Sequence, residues 1–179
     1  MRNIAKPDVS EYPAYSSIYM ELIAKDKDIL TQLWDNFITL KNLIYNLPEE
    51  KLSYRYAPGK WTIKEILVHN IDDERIFACR ALRFARNDAT PLPGFEQDAY
   101  ALHSGANARS LDSIFDEYES VRKSTITLFK YLPEESLSRK GVGIDSDGSL
   151  INERTVRAFV YHIAGHELRH IKIIKERYL

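Results

Sequence analysis

Three of the chain's five histidines fall in the run YHIAGHELRH, at positions 162, 166 and 170. Side chains four residues apart on an α-helix stack on one face, one turn above the next. A fourth histidine, His69, lies in a second helical pattern, WTIKEILVHNIDDER. Two imidazoles at i and i+4, joined by one from a facing helix, make a donor set for a divalent metal and leave a coordination position open. The competing reading is a buried polar network in which the ladder is tied to Asp72, Asp73, Glu74 or Glu167. Asp73, four residues after His69 on the same face, is placed to orient the His69 ring through its second nitrogen. Asp73 and Glu167 are the candidate catalytic carboxylates. His103 is assigned to the surface or to a hydrogen-bonded core position, with pocket lining as the lesser reading, and Cys79, with no second cysteine, to the core.

These residues need a scaffold that brings two helices face to face. Leu33, Phe37, Leu40, Ile44 and Leu47 recur at steps of four and three, an apolar stripe for a bundle. Leu47-Pro48 ends that helix, because a residue before proline disfavours the α region. Thr62 with Glu65 matches a capping box and opens the helix of His69. Ser110 is an N-cap for a third helix, and a fourth starts near 152–155. The expected fold is all-α, a four-helix bundle of long antiparallel helices near 20–47, 62–87, 110–132 and 153–177. Residues 1–18, with Pro7 and Pro13, read as an irregular arm over a single domain spanning 1–179. Glu74, Arg75 and Arg80 read as solvent-facing ion pairs.

Residues 88–109 break the helical rhythm with two prolines and two glycines, a long crossover between the second and third helices. Loops of this length are often functional. Phe95, Asp98 and Tyr100 are expected over the open end of the histidine cluster, with Gln97 beside them; a surface connector pinned by its aromatics is the plainer alternative. The segment from Leu132 to Thr155 holds either a short hairpin or a loop. An internal echo links the halves. Leu47-Pro48-Glu49-Glu50 matches Leu132-Pro133-Glu134-Glu135, and Thr62 with His69 matches Thr155 with His162. A duplicated helix hairpin predicts pseudo-twofold symmetry and makes His162 the mate of His69. That symmetry favours His69, His162 and His166 as a ligand set.

With 25 basic and 26 acidic residues, the net charge is -1, which gives no global reason to expect nucleic acid or an anionic membrane as partner. The N-terminal residues lack the apolar run of a signal peptide, and one cysteine allows no intrachain disulfide. The expectation is a soluble cytoplasmic protein acting on a small molecule; a homodimer is the one assembly entertained.

Trp61-Thr62-Ile63-Lys64-Glu65 leading to His69, then Asp73-Glu74-Arg75, form one block of a wider pattern. Ala81–Arg86, Pro91–Phe95, Gln97-Asp98 and HIAGHELRH complete it. This pattern resembles the DinB-like superfamily, which includes thiol-dependent transferases such as bacillithiol transferases and a mycothiol-dependent isomerase branch. The resemblance covers nearly the whole chain after the arm. It implies an up-down-down-up-type bundle and a zinc or nickel ion held by His69, His166 and His170. His162 then becomes a neighbouring pocket residue, with Phe95, Asp98 and Tyr100. The implied activities are thiol S-transfer with a low-molecular-weight thiol, or hydrolysis of an amide or ester. A non-catalytic metal-binding or interaction bundle is the alternative.

Overall fold

The computed structural model describes residues 2–24 and 26–179. Four long helices dominate it: α2 (Ile29–Ile44), α4 (Ile63–Ala85), α6 (Leu111–Tyr131) and α7 (Val156–Arg177). Shorter helices are α1 (Ser17–Met20), α3 (Glu49–Leu52) and α5 (Gln97–His103). Each long helix starts on a side-chain cap. Thr62 and Glu65 close the capping box at α4, while Asp28, Ser110 and Thr155 accept the N–H groups of Thr31, Ser113 and Ala158. The Asp28 cap is why the first long helix begins at Ile29 rather than near residue 20. Among the described residues before it, α1 is the one α-helical turn, preceded by 3-10 turns at Val9–Glu11 and Ala14–Ser16.

Side-chain pairings set the helix directions. Phe37 meets Tyr118 while Tyr45 bonds Asp112, so α2 and α6 run oppositely. Lys64 reaches the carbonyl of Arg109 and Glu74 meets Arg122, so α4 and α6 run the same way. His69 meets His170 and Phe77 meets Phe159, so α4 and α7 run oppositely. In chain order the helices are therefore up, down, down, up. This is the order the family resemblance implied; within the expected set of antiparallel helices, α4 and α6 are the consecutive pair that runs parallel. Each of α2 and α4 packs against both α6 and α7, which places α2 diagonal to α4 and α6 diagonal to α7, while α4 and α6 lie side by side. A chain leaving one end of α4 must return to the other end to start α6, and this geometry requires the long 88–109 crossover.

The core has two apolar clusters with a polar layer between them. Leu33, Phe77, Phe129 and Phe159 belong to one; Phe37, Ile71, Phe115 and Ile171 belong to the other. Asn36, Asp73, Glu74, Arg122, His166 and Glu167, all buried, occupy the intervening turns of their helices. A small three-stranded sheet lies beside the bundle. In it β1 (Leu92–Pro93) runs parallel to β2 (Lys140–Ile144), and β2 pairs antiparallel with β3 (Leu150–Thr155). The segment left open between hairpin and loop is thus a hairpin, turned at Asp145–Ser149 with Gly148 at φ 86°. A Cβ on Gly141 would lie 2.2 Å from the Phe84 ring, so glycine there lets β2 seat on α4. The N-terminal arm is pinned similarly: a Cβ on Gly165 would lie 2.3 Å from the Tyr19 carbonyl oxygen. Among the described residues, no helix is long and apolar enough to cross a membrane.

Candidate metal centre

Antiparallel packing of α4 on α7 turns two four-residue spacings into a ladder. His69 meets His170, Asp73 meets His166, and Phe77 meets His162. At the first rung three imidazoles converge. Nε2 of His166 lies 3.1 Å from Nε2 of His69 and 3.2 Å from Nε2 of His170. Three nitrogens arranged tetrahedrally around an ion at about 2.0–2.1 Å would stand about 3.3–3.4 Å apart. These three histidines form the group of potential ligand atoms that lie within 4.8 Å of one another. His69 and His166 are buried, and His170 is the partly exposed member at the edge.

Electrostatics keeps the rings neutral, as ligands must be. Burial, with His166 nearby, lowers His69 to about 4. Burial alone lowers His166 to about 4, and burial with the two neighbouring rings puts His170 well below the usual imidazole value. Nδ1 of His69 and Nδ1 of His170 have no hydrogen-bond partner among the described residues. Trp61 packs over both rings, with centroids 4.6 Å from His69 and 6.2 Å from His170.

The structure corrects the expected role of Asp73. Its Oδ2 lies 3.4 Å from Nδ1 of His166 without a hydrogen bond between them, so the carboxyl sits beside His166 and not His69. One turn along α4 from His69 is one turn back along α7 from His170, which brings Asp73 level with His166. Burial raises Asp73 to about 7. His162 is separate from the cluster. It stacks on Phe77 at 4.1 Å, its Nδ1 is 3.5 Å from Ser16 Oγ, and its Nε2 is 4.0 Å from Asp73 Oδ2. Symmetry between the halves is broken at this rung, because Phe77 rather than a histidine faces His162.

Glu167 points into the polar layer. Its Oε1 accepts from the Tyr118 hydroxyl at 2.7 Å, and Oε2 is 2.9 Å from Nη2 of Arg122. Arg122 also donates to both oxygens of Glu74 and to the Leu33 carbonyl. Glu74 is therefore a fully buried ion-pair partner, not the solvent-facing charge expected, whereas Arg75 pairs with Glu117 nearer the surface. Cys79, expected in the core, is exposed.

A cleft of about 320 Å³ opens beside His170, lined by Tyr56, Lys60, Trp61, Asp98 and Tyr178 among others. Asp98 and Gln97, from the crossover, reach it. Phe95 and Tyr100 are not among its lining residues; they pair with each other at 5.2 Å, and Tyr100 is exposed. His103 is exposed. Tyr56, Lys60 and Tyr178 escaped the sequence reading because the 48–60 segment shows no helical period and Tyr178 follows the last helix. The paired aromatics Tyr56 and Trp61 around Pro58-Gly59 are the sequence signal that could have marked this wall.

Comparison with known proteins adds a family. The profile of the DinB superfamily matches residues 29–174, a span that contains all three clustered histidines. A protein of Oceanobacillus iheyensis, named "Putative metal-dependent hydrolase OB0413", is 28% identical over 137 residues, covering 76% of this chain and 75% of its own. In fold the chain is similar to YfiT from Bacillus subtilis, with TM-score 0.64, 15% identity, and coverage of 96% of this chain and 92% of the other. That structure is described as "a probable metal-dependent hydrolase with an unusual four-helix bundle topology".

Proposed function

The chain belongs to the DinB superfamily, and on that premise we propose that it is a hydrolase of small-molecule amides or esters, dependent on a divalent ion, zinc or nickel. The observation that carries this reading is the meeting of three Nε2 atoms from neutral, mostly buried rings beside an open cleft. The neutral donors and the orphaned outer nitrogens of His69 and His170 fit a metal site, since water or substrate groups entering the cleft can satisfy what the fold leaves unpaired. An ion held by three imidazoles keeps its full charge and an open position, where it lowers the pKa of bound water or thiol.

The chain's own groups divide the remaining work. Asp73 stands 3.4 Å from Nδ1 of His166, where a slight approach would make the hydrogen bond that leaves the Nε2 lone pair to the cluster. Trp61 shields His69 and His170 from bulk water. Asp98 is the carboxylate on the cleft wall and is the group placed to accept a proton at an Oδ atom. Thiol S-transfer with a low-molecular-weight thiol is the second reading. It is favoured by one observation: Asp73 and Glu167 both lie behind the imidazoles, leaving a single carboxylate at the cleft.

The test loads purified protein with zinc or nickel and assays two panels. One holds activated esters and amides; the other holds an aryl halide electrophile with a cysteinyl thiol. Turnover of the first panel that disappears in His170→Ala and falls in Asp98→Asn supports hydrolysis. Turnover confined to the second panel replaces it with the transferase reading. No turnover in either, with stoichiometric ion bound, leaves the non-catalytic bundle.

A further inference from the structure

Among the described residues, three arginine side chains, two of them buried, sit in very different company. Arg122 has two carboxylates within ion-pair distance. Arg157, half-buried, is held by Glu11, which raises its pKa. Arg154 is 3% exposed, and among the described residues no carboxylate lies within 4.0 Å of it. Its Nη2 donates to the Tyr15 hydroxyl at 2.5 Å, and its buried Nη1 has no hydrogen-bond partner among the described residues. The rings of Phe77, Phe159 and Tyr15 surround it at 5.1, 5.3 and 5.6 Å. Cation–π contacts of this kind offset only part of the desolvation of a buried cation.

A second guanidinium is held against the same ring. Arg80 lies 5.2 Å from the Phe77 centroid, and its Nη2 donates to the Pro93 carbonyl at 2.6 Å. No carboxylate among the described residues lies within ion-pair distance of Arg80 either, although Asp73 acts on both at longer range. Two like charges gathered around one aromatic ring, neither directly neutralised, raise the local potential. Burial accordingly lowers the pKa of each.

Both arginines line one small cavity of about 50 Å³, between α4, the start of α7 and the sheet. Tyr15 and Asn152 supply further polar groups, and Phe84, Leu92 and Ile151 supply apolar wall. A water-sized probe occupies about 10–15 Å³, so the space admits a group of a few heavy atoms. From these features we infer that the Arg80–Arg154 cavity is a binding site for a small organic carboxylate. The planar head would take the free Nη1 of Arg154 and the fork of Arg80, the geometry guanidinium groups match best. The short carbon tail would lie on Phe84 and Leu92. From His69 to Arg80 along α4 is roughly 16 Å, so this site is distinct from the histidine cluster. It does not depend on the hydrolase reading.

Acetate is the probe. Wild-type protein loaded with metal is titrated with sodium acetate against sodium chloride at equal ionic strength, following thermal unfolding and the line width of labelled acetate. The expected result is saturable, acetate-specific stabilisation. It should weaken about tenfold or more in Arg80→Met and in Arg154→Met, as expected for losing a charged hydrogen-bond donor, and persist in His170→Ala. Arg80 is only partly buried, so Arg80→Met serves if Arg154→Met does not fold. Absence of saturation in wild type overturns the inference. So does unchanged acetate binding in Arg80→Met, or loss confined to His170→Ala, which would place acetate on the metal.

Discussion

Oδ2 of Asp73 stands 3.4 Å from Nδ1 of His166, on the side of the ring away from His69 and His170. Carboxylates in this position fix the tautomer and raise the basicity of a ligating imidazole. Asp73→Ala is expected to weaken metal affinity about 10–100-fold, and Asp73→Asn less, because its amide oxygen can still accept. Competition with a chelating dye measures both. Equal affinity in Asp73→Ala and wild type would remove Asp73 from the site.

The three converging Nε2 atoms predict which histidines retain the ion. His69→Ala, His166→Ala and His170→Ala should each lose stoichiometric zinc or nickel by elemental analysis, with circular dichroism confirming the helical fold. His162→Ala should keep the ion while losing stability, since its ring is stacked on Phe77 in the core. Ion loss in His162→Ala together with retention in His170→Ala would assign the ligands to the symmetric set instead.

Acid should destabilise the metal-free protein. Folding lowers His69 and His166 to about 4, and lowers His162 and His170 as well, from about 6.5 in the unfolded chain. Between those values the unfolded chain takes up protons that the folded chain refuses. The stability from these four rings is therefore complete above about pH 6.5 and is lost as pH falls. Asp73 works the other way. Its folded pKa of about 7 exceeds its unfolded value, so its contribution is present at low pH and is lost as pH rises through 7. Burial also raises Glu167 and adds to that opposition. With four groups against two, the net change from neutral pH to about 4.5 is a loss on the order of a few kcal/mol. Urea midpoints across that range measure it. A metal-loaded sample should show a steeper fall, because protons displace the ion. A midpoint that rises on acidification would contradict the sign.

The Arg122 network separates a structural Glu167 from a catalytic one. Arg122→Ala leaves Glu74 and Glu167 buried without their counter-ion and should cost about 3–5 kcal/mol in denaturant unfolding. Glu167→Gln should lower stability by a smaller amount and leave kcat per folded molecule unchanged. A collapse of kcat at unaltered stability would return Glu167 to the reaction.

The bundle was legible in the sequence because its cause is local. Apolar residues at steps of three and four, together with Thr62, Ser110 and Thr155 at helix starts, specify three helix boundaries without reference to the rest of the chain. The histidines were equally legible as a ladder, since i, i+4 stacking belongs to one helix. Helix direction and rotation were not local. The sequence could place Asp73 on the face of His69, but only the antiparallel contact of α4 with α7 decides that the next rung belongs to His166. The same contact sets His170 opposite His69 and Phe77 opposite His162, which divides the ladder into a converging cluster and a stacked core residue. Glu74, Glu167 and Arg154 read as ordinary charges in sequence; whether each is paired depends on which helix or strand covers it. That assignment is long-range, so the tertiary structure alone gives Arg122 two carboxylates and leaves Arg154 with none within ion-pair distance among the described residues.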